Sequence, residues 1–265
     1  MKRPFLLRIS PLGLKTPLYY RLYHRQRNRW AGLYTDAPLH FSPQMRMTLL
    51  ATDEGHSNIA FTGFYELDLS RKIFPLAVSG GIMIDVGANY GYFSLLWAGA
   101  NPRNRVFAFE ASPKNGPALL RNVEKNGLAG RVDVQGVAVG REPGVLRFAP
   151  GPKEETGWGG FTLDRDEGAI EVRVRTLDDL LPPGIVVKVL KIDVEGADTW
   201  VLQGAEQLLR QRRVEHIFFE QNKPRMRSLG IRDEEAAEHL GRFGYAVFPF
   251  SDPSGGLVEY HARPG

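Results

Sequence analysis

The chain reads as an α/β protein: a doubly wound, mostly parallel, Rossmann-like sheet that ends in an antiparallel hairpin and comes after an N-terminal extension. Three observations predict this. From Ile82 onward, apolar runs that suit buried strands alternate with helical stretches, the pattern of a parallel sheet flanked by helices. The first apolar run, Gly81-Ile-Met-Ile-Asp85, turns through Asp85-Val-Gly-Ala-Asn-Tyr-Gly91 into a helical pattern at Tyr92–Ala98. The end of the chain reads strand–turn–strand, with Tyr245–Phe250 and Leu257–Tyr260 on either side of Asp252-Pro-Ser-Gly-Gly256.

Residues 1–55 form a basic extension, in which Pro17 opens a helix over Leu18–Trp30. Leu18, Tyr19, Leu22 and Tyr23 share one of its faces, while Arg21, Arg25 and Arg29 form a row at i+4 spacing. Residues 56–265 form the main domain. After the glycine turn, Arg105-Val-Phe-Ala-Phe-Glu110 is the second strand, and Asn115–Asn126 is a helix that Gly127 stops. Arg131–Val139 is the third strand and its exit. Val145–Phe148 and Ile170–Arg175 alternate apolar and polar residues as an inserted hairpin, enclosing Gly157-Trp-Gly-Gly-Phe161. Val186–Asp193 is a central strand, Asp198–Arg210 a helix and His216–Glu220 the next strand.

Composition narrows the function. The chain has 265 residues, 43% of them hydrophobic, enough for a substantial core. It has no cysteine, which excludes disulfides, thiolate metal sites and a cysteine nucleophile. No apolar run reaches transmembrane length, and Pro11, Gly13 and Lys15 break up the stretch after Lys2 and Arg3, so no signal peptide is read. The expected location is cytoplasmic. The first 30 residues carry eight Lys or Arg and no acid, leaving the other 235 at −4 within a net charge of +4. A basic amphipathic helix packs on its own domain or lies on an anionic surface. Residues 15–30 are the candidate contact with the inner face of a membrane.

The glycine turn is a cofactor cradle. Gly87 and Gly91 allow torsions and approaches that a Cβ blocks, and the free N–H groups of the next helix attract an anion. A dinucleotide fingerprint wants glycine where Asn89 and Tyr92 stand, and no Gly-Lys-Ser/Thr of a phosphate loop is present. Glu110 ends the second strand 25 residues after Asp85, where it can accept both hydroxyls of a ribose. S-adenosylmethionine has an ammonium for Asp85, a carboxylate for the helix start and a ribose for Glu110.

Phe61-Thr-Gly-Phe-Tyr-Glu66, Ile84–Gly91, Phe109-Glu-Ala-Ser-Pro113, Thr176-Leu-Asp-Asp-Leu180, Leu190-Lys-Ile-Asp-Val-Glu-Gly-Ala197 and Phe219-Glu-Gln-Asn222 together resemble the FkbM-type methyltransferases. The motifs occur in that family's order across about residues 60–225. Ala111 and Asp198 depart from it mildly, standing where proline and glutamate are common. The resemblance implies a class I methyltransferase fold, S-adenosylmethionine as donor and O-methylation of a hydroxyl on a sugar, glycolipid or secondary metabolite. The implied cofactor residues are Asp85, Gly87, Asn89, Gly91, Tyr92, Glu110 and Ala138.

The family's strand order sets Asp193 beside Asp85, facing the reacting methyl, which makes Asp193 the candidate base; orienting substrate or cofactor is its alternative role. Lys191 is expected in an ion pair with Asp193, Glu195 or Glu220, and in contact with substrate as the lesser reading. Trp158, Glu195, Glu220 and Asn222 complete the candidate acceptor site. Asp193, Glu220 and Asn222 are rich enough in oxygen for Mg²⁺, but polar strand ends are common and no metal is assigned. His56 and His216 are bases in principle only. The acceptor is expected to be a small molecule or a glycan- or lipid-linked group. A nucleic-acid methyltransferase and a non-catalytic cofactor-binding scaffold are the alternatives. Against the first, the basic residues lie in the extension rather than at the cradle, and no nucleic acid is expected.

Overall fold

The computed structural model describes residues 1–152, 154–163 and 168–265. The extension contains α1 (Phe5–Ile9), α2 (Leu12–Leu18), a wide helical turn at Tyr19–Tyr23, a tight one at His24–Trp30, and α3 (Gly32–Thr35). Strands β1 (Ala37–Pro38) and β2 (Arg46–Met47) pair antiparallel, and α4 (Glu54–Thr62) and α5 (Leu67–Ser79) lead into the sheet. The domain then runs β3 (Ile82–Val86), α6 (Tyr92–Ala100), β4 (Arg105–Phe109), α7 (Gly116–Lys125), β5 (Val132–Gln135) and β6 (Ala138–Val139). The insertion holds β7 (Gly144–Ala149), β8 (Gly160–Phe161) and β9 (Ile170–Arg175). After α8 (Leu177–Leu180) come β10 (Val187–Ile192), α9 (Asp198–Gln203), α10 (Glu206–Arg210), β11 (Val214–Asn222), α11 (Lys223–Ser228), α12 (Glu235–Arg242), β12 (Tyr245–Pro249) and β13 (Leu257–Pro264).

The main sheet has seven strands in the order β12-β13-β11-β10-β3-β4-β5. The pairs from β11 to β5 are parallel, and β13 is antiparallel to both β11 and β12. Parallel strands buried on both faces need continuous apolar sequence, and Met83, Ile84, Val187, Val189 and Leu190 are fully buried. The chain winds outward from β3 through β5 and returns to β10, so strand order reverses between β3 and β10. Ligands of open α/β sheets bind at that point, outside the carboxyl ends. A second sheet, β6-β9-β7-β8, holds the expected hairpin as the antiparallel pair β7–β9. The expected third strand therefore divides, β5 staying in the main sheet while Ala138 and Val139 join the second.

Two further expectations are corrected. The helix read as Leu18–Trp30 starts earlier: Pro11 precedes α2, Pro17 lies inside it, and the pitch widens at Tyr19–Tyr23 and tightens from His24. Proline removes one helical hydrogen bond and disturbs the turn before it, and the altered pitch brings Tyr19, fully buried, onto Phe61 with ring centroids 4.8 Å apart. The helix read over Asp198–Arg210 breaks into α9 and α10 around Gly204, where a Cβ would stand 2.1 Å from the Gly140 carbonyl oxygen.

Leu7, Tyr19, Leu33 and Tyr34 of the extension are buried in the same apolar cluster as Phe61, Ile73, Met83 and Trp97. Arg3 ties the extension to α4, donating from Nε to the Ala60 carbonyl at 2.8 Å and from Nη2 to the Pro38 carbonyl.

Candidate active site

A cavity of about 460 Å³ opens at the carboxyl ends of β3, β4, β10 and β11, within the size range of small-molecule sites. Register decides which side chains meet behind it. Lys191 on β10 pairs with Asp85 on β3, and side-by-side residues of neighbouring strands project to the same face. The Lys191 Nζ lies 3.5 Å from Asp85 Oδ1 and 3.2 Å from Asp193 Oδ2, and donates to the Gly87 carbonyl at 3.1 Å. Asp85 is fully buried; its Oδ2 accepts from Ser94 Oγ at 2.6 Å, and its Oδ1 has no hydrogen-bond donor.

Close backbone approach explains the glycines. Asp193 N–H donates to the Val86 carbonyl, pressing the β10 exit onto the β3 exit. A Cβ on Gly87 (φ +74°) would sit 1.8 Å from the Asp193 carbonyl oxygen. Gly91 opens α6 at φ +92°, and a Cβ there would meet Leu119 at 2.6 Å. Asn89 takes the left-handed region at φ +50° and donates its N–H to Glu110 Oε2 at 2.7 Å. Glu110 Oε1 accepts from Ser112 N–H at 2.8 Å, so two backbone amides fix this carboxylate at the wall.

Beyond β10, Glu195 accepts from Asn222 Nδ2 at 3.0 Å and faces Arg225 Nε at 3.6 Å. Buried Asp198 accepts from Glu220 N–H at 3.2 Å, joining the β10 exit to β11. A roof, residues 154–160, covers this floor. Asp53 Oδ2 accepts from Thr156 N–H at 2.7 Å and from its hydroxyl at 2.9 Å, while Asp53 Oδ1 caps α4 through His56 N–H. Asn115 donates to the Thr156 carbonyl and Arg225 to the Trp158 carbonyl.

Lys191 is the sole cation among the described residues of the wall, which also bears Asp53, Glu54, Glu66, Glu110, Glu155, Asp193, Glu195 and Glu220. The imbalance shows in the carboxyl groups. Burial first, then Asp193, pushes Glu66 up to about 8 and Glu195 to about 7. Burial together with Asp193 and Glu66 pushes Glu220 to about 10. Glu110 rises to about 7 through burial, although its two amide bonds oppose the shift. Burial works against the charge on Lys191, but Asp193, Asp85 and Glu66 outweigh it and hold the ammonium above its ordinary value. Among the described residues, no group of three or more His, Asp or Glu is arranged to hold a metal ion.

Of the residues singled out from sequence, Gly87, Asn89, Tyr92, Glu110, Ala138, Trp158, Lys191, Asp193, Glu195, Glu220 and Asn222 line the cavity; Asp85 and Gly91 do not. Asp85 stands behind the wall because register gives it to Lys191, and Gly91 is spent on packing α7 against α6. His216 lies away from the cavity, with Nδ1 3.0 Å from His261 Nε2. His56 does reach the wall, but its Nδ1 accepts from Leu50 N–H and burial lowers its proton affinity. Sequence reasoning missed Asp53, Tyr65, Glu66 and Thr156 as site residues. Tyr65-Glu66 stood inside a quoted motif, and Glu66 holds an unusual φ of +40° at the cavity. Asp53 and Thr156 are 103 residues apart and carried no local signal.

Residues 85–246 match the family model described as the methyltransferase FkbM domain. Among curated relatives, the 31-O-demethyl-FK506 methyltransferase FkbM of Streptomyces tacrolimicus is 34% identical over 158 residues, covering 48% of this chain and 60% of that protein. Methyltransferase sdnD of Sordaria araneosa is 28% identical over 160 residues, covering 49% and 62%. The chain thus matches about three-fifths of the length of these relatives. Among solved structures, Methyltransferase FkbM from Methylobacillus flagellatus KT aligns at 16% identity over 94% of this chain and 60% of that one, with a TM-score of 0.49.

Proposed function

The chain belongs to the FkbM methyltransferase family, and from that premise we propose that it transfers a methyl group from S-adenosylmethionine to a hydroxyl of a sugar, glycolipid or secondary metabolite. The observation that carries this reading is the acidic wall around one lysine at the switch point of the sheet.

The residues present suit such a cofactor. A wall with far more carboxylates than cations favours a ligand bearing a sulfonium and an ammonium, and opposes a pyrophosphate. Glu110, held by two amides, keeps acceptor capacity for ribose hydroxyls. The α6 amino terminus, with Tyr92 and Phe93 on the wall, offers first-turn N–H groups to a carboxylate. Phe109, Val137, Ala138 and Val139 give an apolar surface for a flat base. Asp85 then serves from behind, fixing Lys191. When bound, S-adenosylmethionine supplies an electrophilic methyl group.

Asp193 accepts a hydrogen bond from the acceptor hydroxyl and takes its proton, and Lys191, 3.2 Å away, holds the carboxylate in place. General-base help of this kind is worth about 10²–10⁴-fold. Glu195, Glu220 and Asn222 orient the hydroxyl, and the Thr156–Gly160 roof with Trp158 excludes water. An acidic mouth disfavours a phosphodiester backbone and favours a neutral, hydroxyl-rich acceptor. The relative named for 31-O-demethyl-FK506 supports an oxygen acceptor.

Calorimetric titration with S-adenosylmethionine, with NAD as the control, tests the cofactor; labelled-methyl transfer to a panel of glycans, glycolipids and hydroxylated metabolites tests the acceptor. Saturable heat with S-adenosylmethionine alone and a base-stable methylated product are expected. No binding, or equal binding of NAD, overturns the proposal.

A further inference from the structure

Seven of the fifteen exposed large apolar side chains, among the described residues, lie within the first 22 residues: Met1, Phe5, Leu6, Ile9, Leu14, Tyr20 and Leu22. Elsewhere such residues are scattered, as on any soluble surface. Their concentration here stems from the geometry of α1. At 100° per residue, Phe5, Ile9 and Leu6 span an arc of about 100°, and Leu7 points the opposite way. Leu7 is fully buried, while Phe5 and Ile9 are 61% and 62% exposed. The helix is therefore anchored by one leucine and turns its broader apolar face outward.

Exposed basic side chains accompany that face within the first 30 residues. Arg8 lies over the Phe5 ring at 5.5 Å, and Lys2, Arg21, Arg25 and Arg29 are exposed. Among the described residues none of these five cations has an acidic partner; Glu54, at the start of α4, is matched by His24 at 3.0 Å and Arg27 at 3.3 Å. The segment holds no acid of its own before Asp36. Bulky apolar groups flanked by unpaired cations complement a surface that is negative outside and hydrocarbon within.

We infer that the face built by α1, α2 and the turn at Tyr19–Tyr23 docks on an anionic lipid bilayer. The inference is independent of the acceptor's identity. Helix α4 links the face to the cavity: Arg3 is bound to the carbonyls of Ile59 and Ala60, and Glu54 and His56 at the other end line the wall. A docked protein therefore holds its cavity at a set distance from the bilayer, a geometry suited to an acceptor that is itself anchored in lipid.

Co-sedimentation of the full chain with phosphatidylcholine vesicles, with and without phosphatidylglycerol, tests the inference. Binding is expected only with phosphatidylglycerol, and should fall as salt rises. Arg21→Gln with Arg25→Gln should weaken it about thirtyfold, near fivefold for each charge removed. Phe5→Ser with Ile9→Ser should abolish it. All four positions are exposed, so circular dichroism and melting should match the parent protein. Equal sedimentation on uncharged vesicles overturns the inference, as does binding that neither pair of substitutions changes. A dimer in solution that Phe5→Ser with Ile9→Ser dissolves, with no vesicle binding by the parent, assigns the face to a second copy instead and equally overturns it.

Discussion

Lys191→Met strikes the sole cation of the cavity wall among the described residues. The Lys191 side chain is 4% exposed, lies 3.2 Å from Asp193 and 3.5 Å from Asp85, and crosses the Phe93 ring at 5.4 Å. Methionine keeps the length and the ring contact but leaves Asp85, fully buried, with only the Ser94 hydroxyl. Breaking a buried ion pair on one side costs about 3–5 kcal/mol. Asp193 is 25% exposed and can recover water, so the cost falls mainly on Asp85 and should sit near the lower end, about 3 kcal/mol. For a chain of this size that is a fall in Tm of about 6–12 °C.

The assay is a cycle of urea and thermal unfolding on the parent, Lys191→Met, Asp85→Asn and the double variant. The amide of the double variant carries no orphan charge, so its loss should be smaller than the sum of the single losses by more than about 1.5 kcal/mol. The pH dependence has a definite sign. A lysine held above its ordinary value contributes stability that is complete below about 10.4 and is lost only as pH rises through the higher folded value. Lys191 itself therefore adds no slope between about pH 6 and 9. Its charge also holds Glu66, Glu110 and Glu195 down, however, so the gap between parent and Lys191→Met should widen as pH climbs through that range. A loss below about 1 kcal/mol, or strict additivity, would refute the idea that Lys191 holds the two carboxylates together.

Asp193→Asn should leave S-adenosylmethionine affinity within about twofold while cutting turnover about 10²–10⁴-fold, read by calorimetry and labelled-methyl transfer; an unchanged rate removes its role as base. Glu66 and Glu220 are raised by burial to about 8 and about 10, so the ligand-free fold binds their protons more tightly than the unfolded chain. That contribution is complete below about 4.5 and lost as pH climbs through those values. The Tm drop from about pH 6 to 9 should therefore shrink in Glu66→Gln with Glu220→Gln, and an identical drop contradicts the assignment. Asp53→Ala removes both the α4 cap and the roof anchor, and should cost about 1–2 kcal/mol and raise the KM for S-adenosylmethionine; a melt and KM like the parent's would mean the roof is held elsewhere.

The central sheet was legible because parallel strands buried on both faces must be continuous apolar runs, and those runs stand out between glycine-rich turns. Much of the cavity wall was legible for a related reason: in this architecture function gathers at strand tips. Glu110 and Asp193 directly follow β4 and β10, and Glu220 lies near the end of β11, which closes at Asn222. Depth was not legible. Asp85 and Asp193 look alike in sequence, yet pairing across β3 and β10 sends one behind the wall and leaves the other on it. Nor was the roof, since Asp53 meets Thr156 only through the folded insertion. The basic segment misled because Arg21, Arg25 and Arg29 suggested one regular helix, whereas Pro17 and the burial of Tyr19 set three different pitches.

The contacts of Arg3 with Ala60 and of Tyr19 with Phe61 have a bearing on biosynthesis. Translation is vectorial, and these partners all emerge from the ribosome before any strand of the large sheet does. These helices can thus assemble early, shielding Leu7 and Tyr19 before Met83 and Trp97 emerge. Shortened versions that begin at the glycine cradle would lack this nascent platform and would meet water with its apolar seat uncovered.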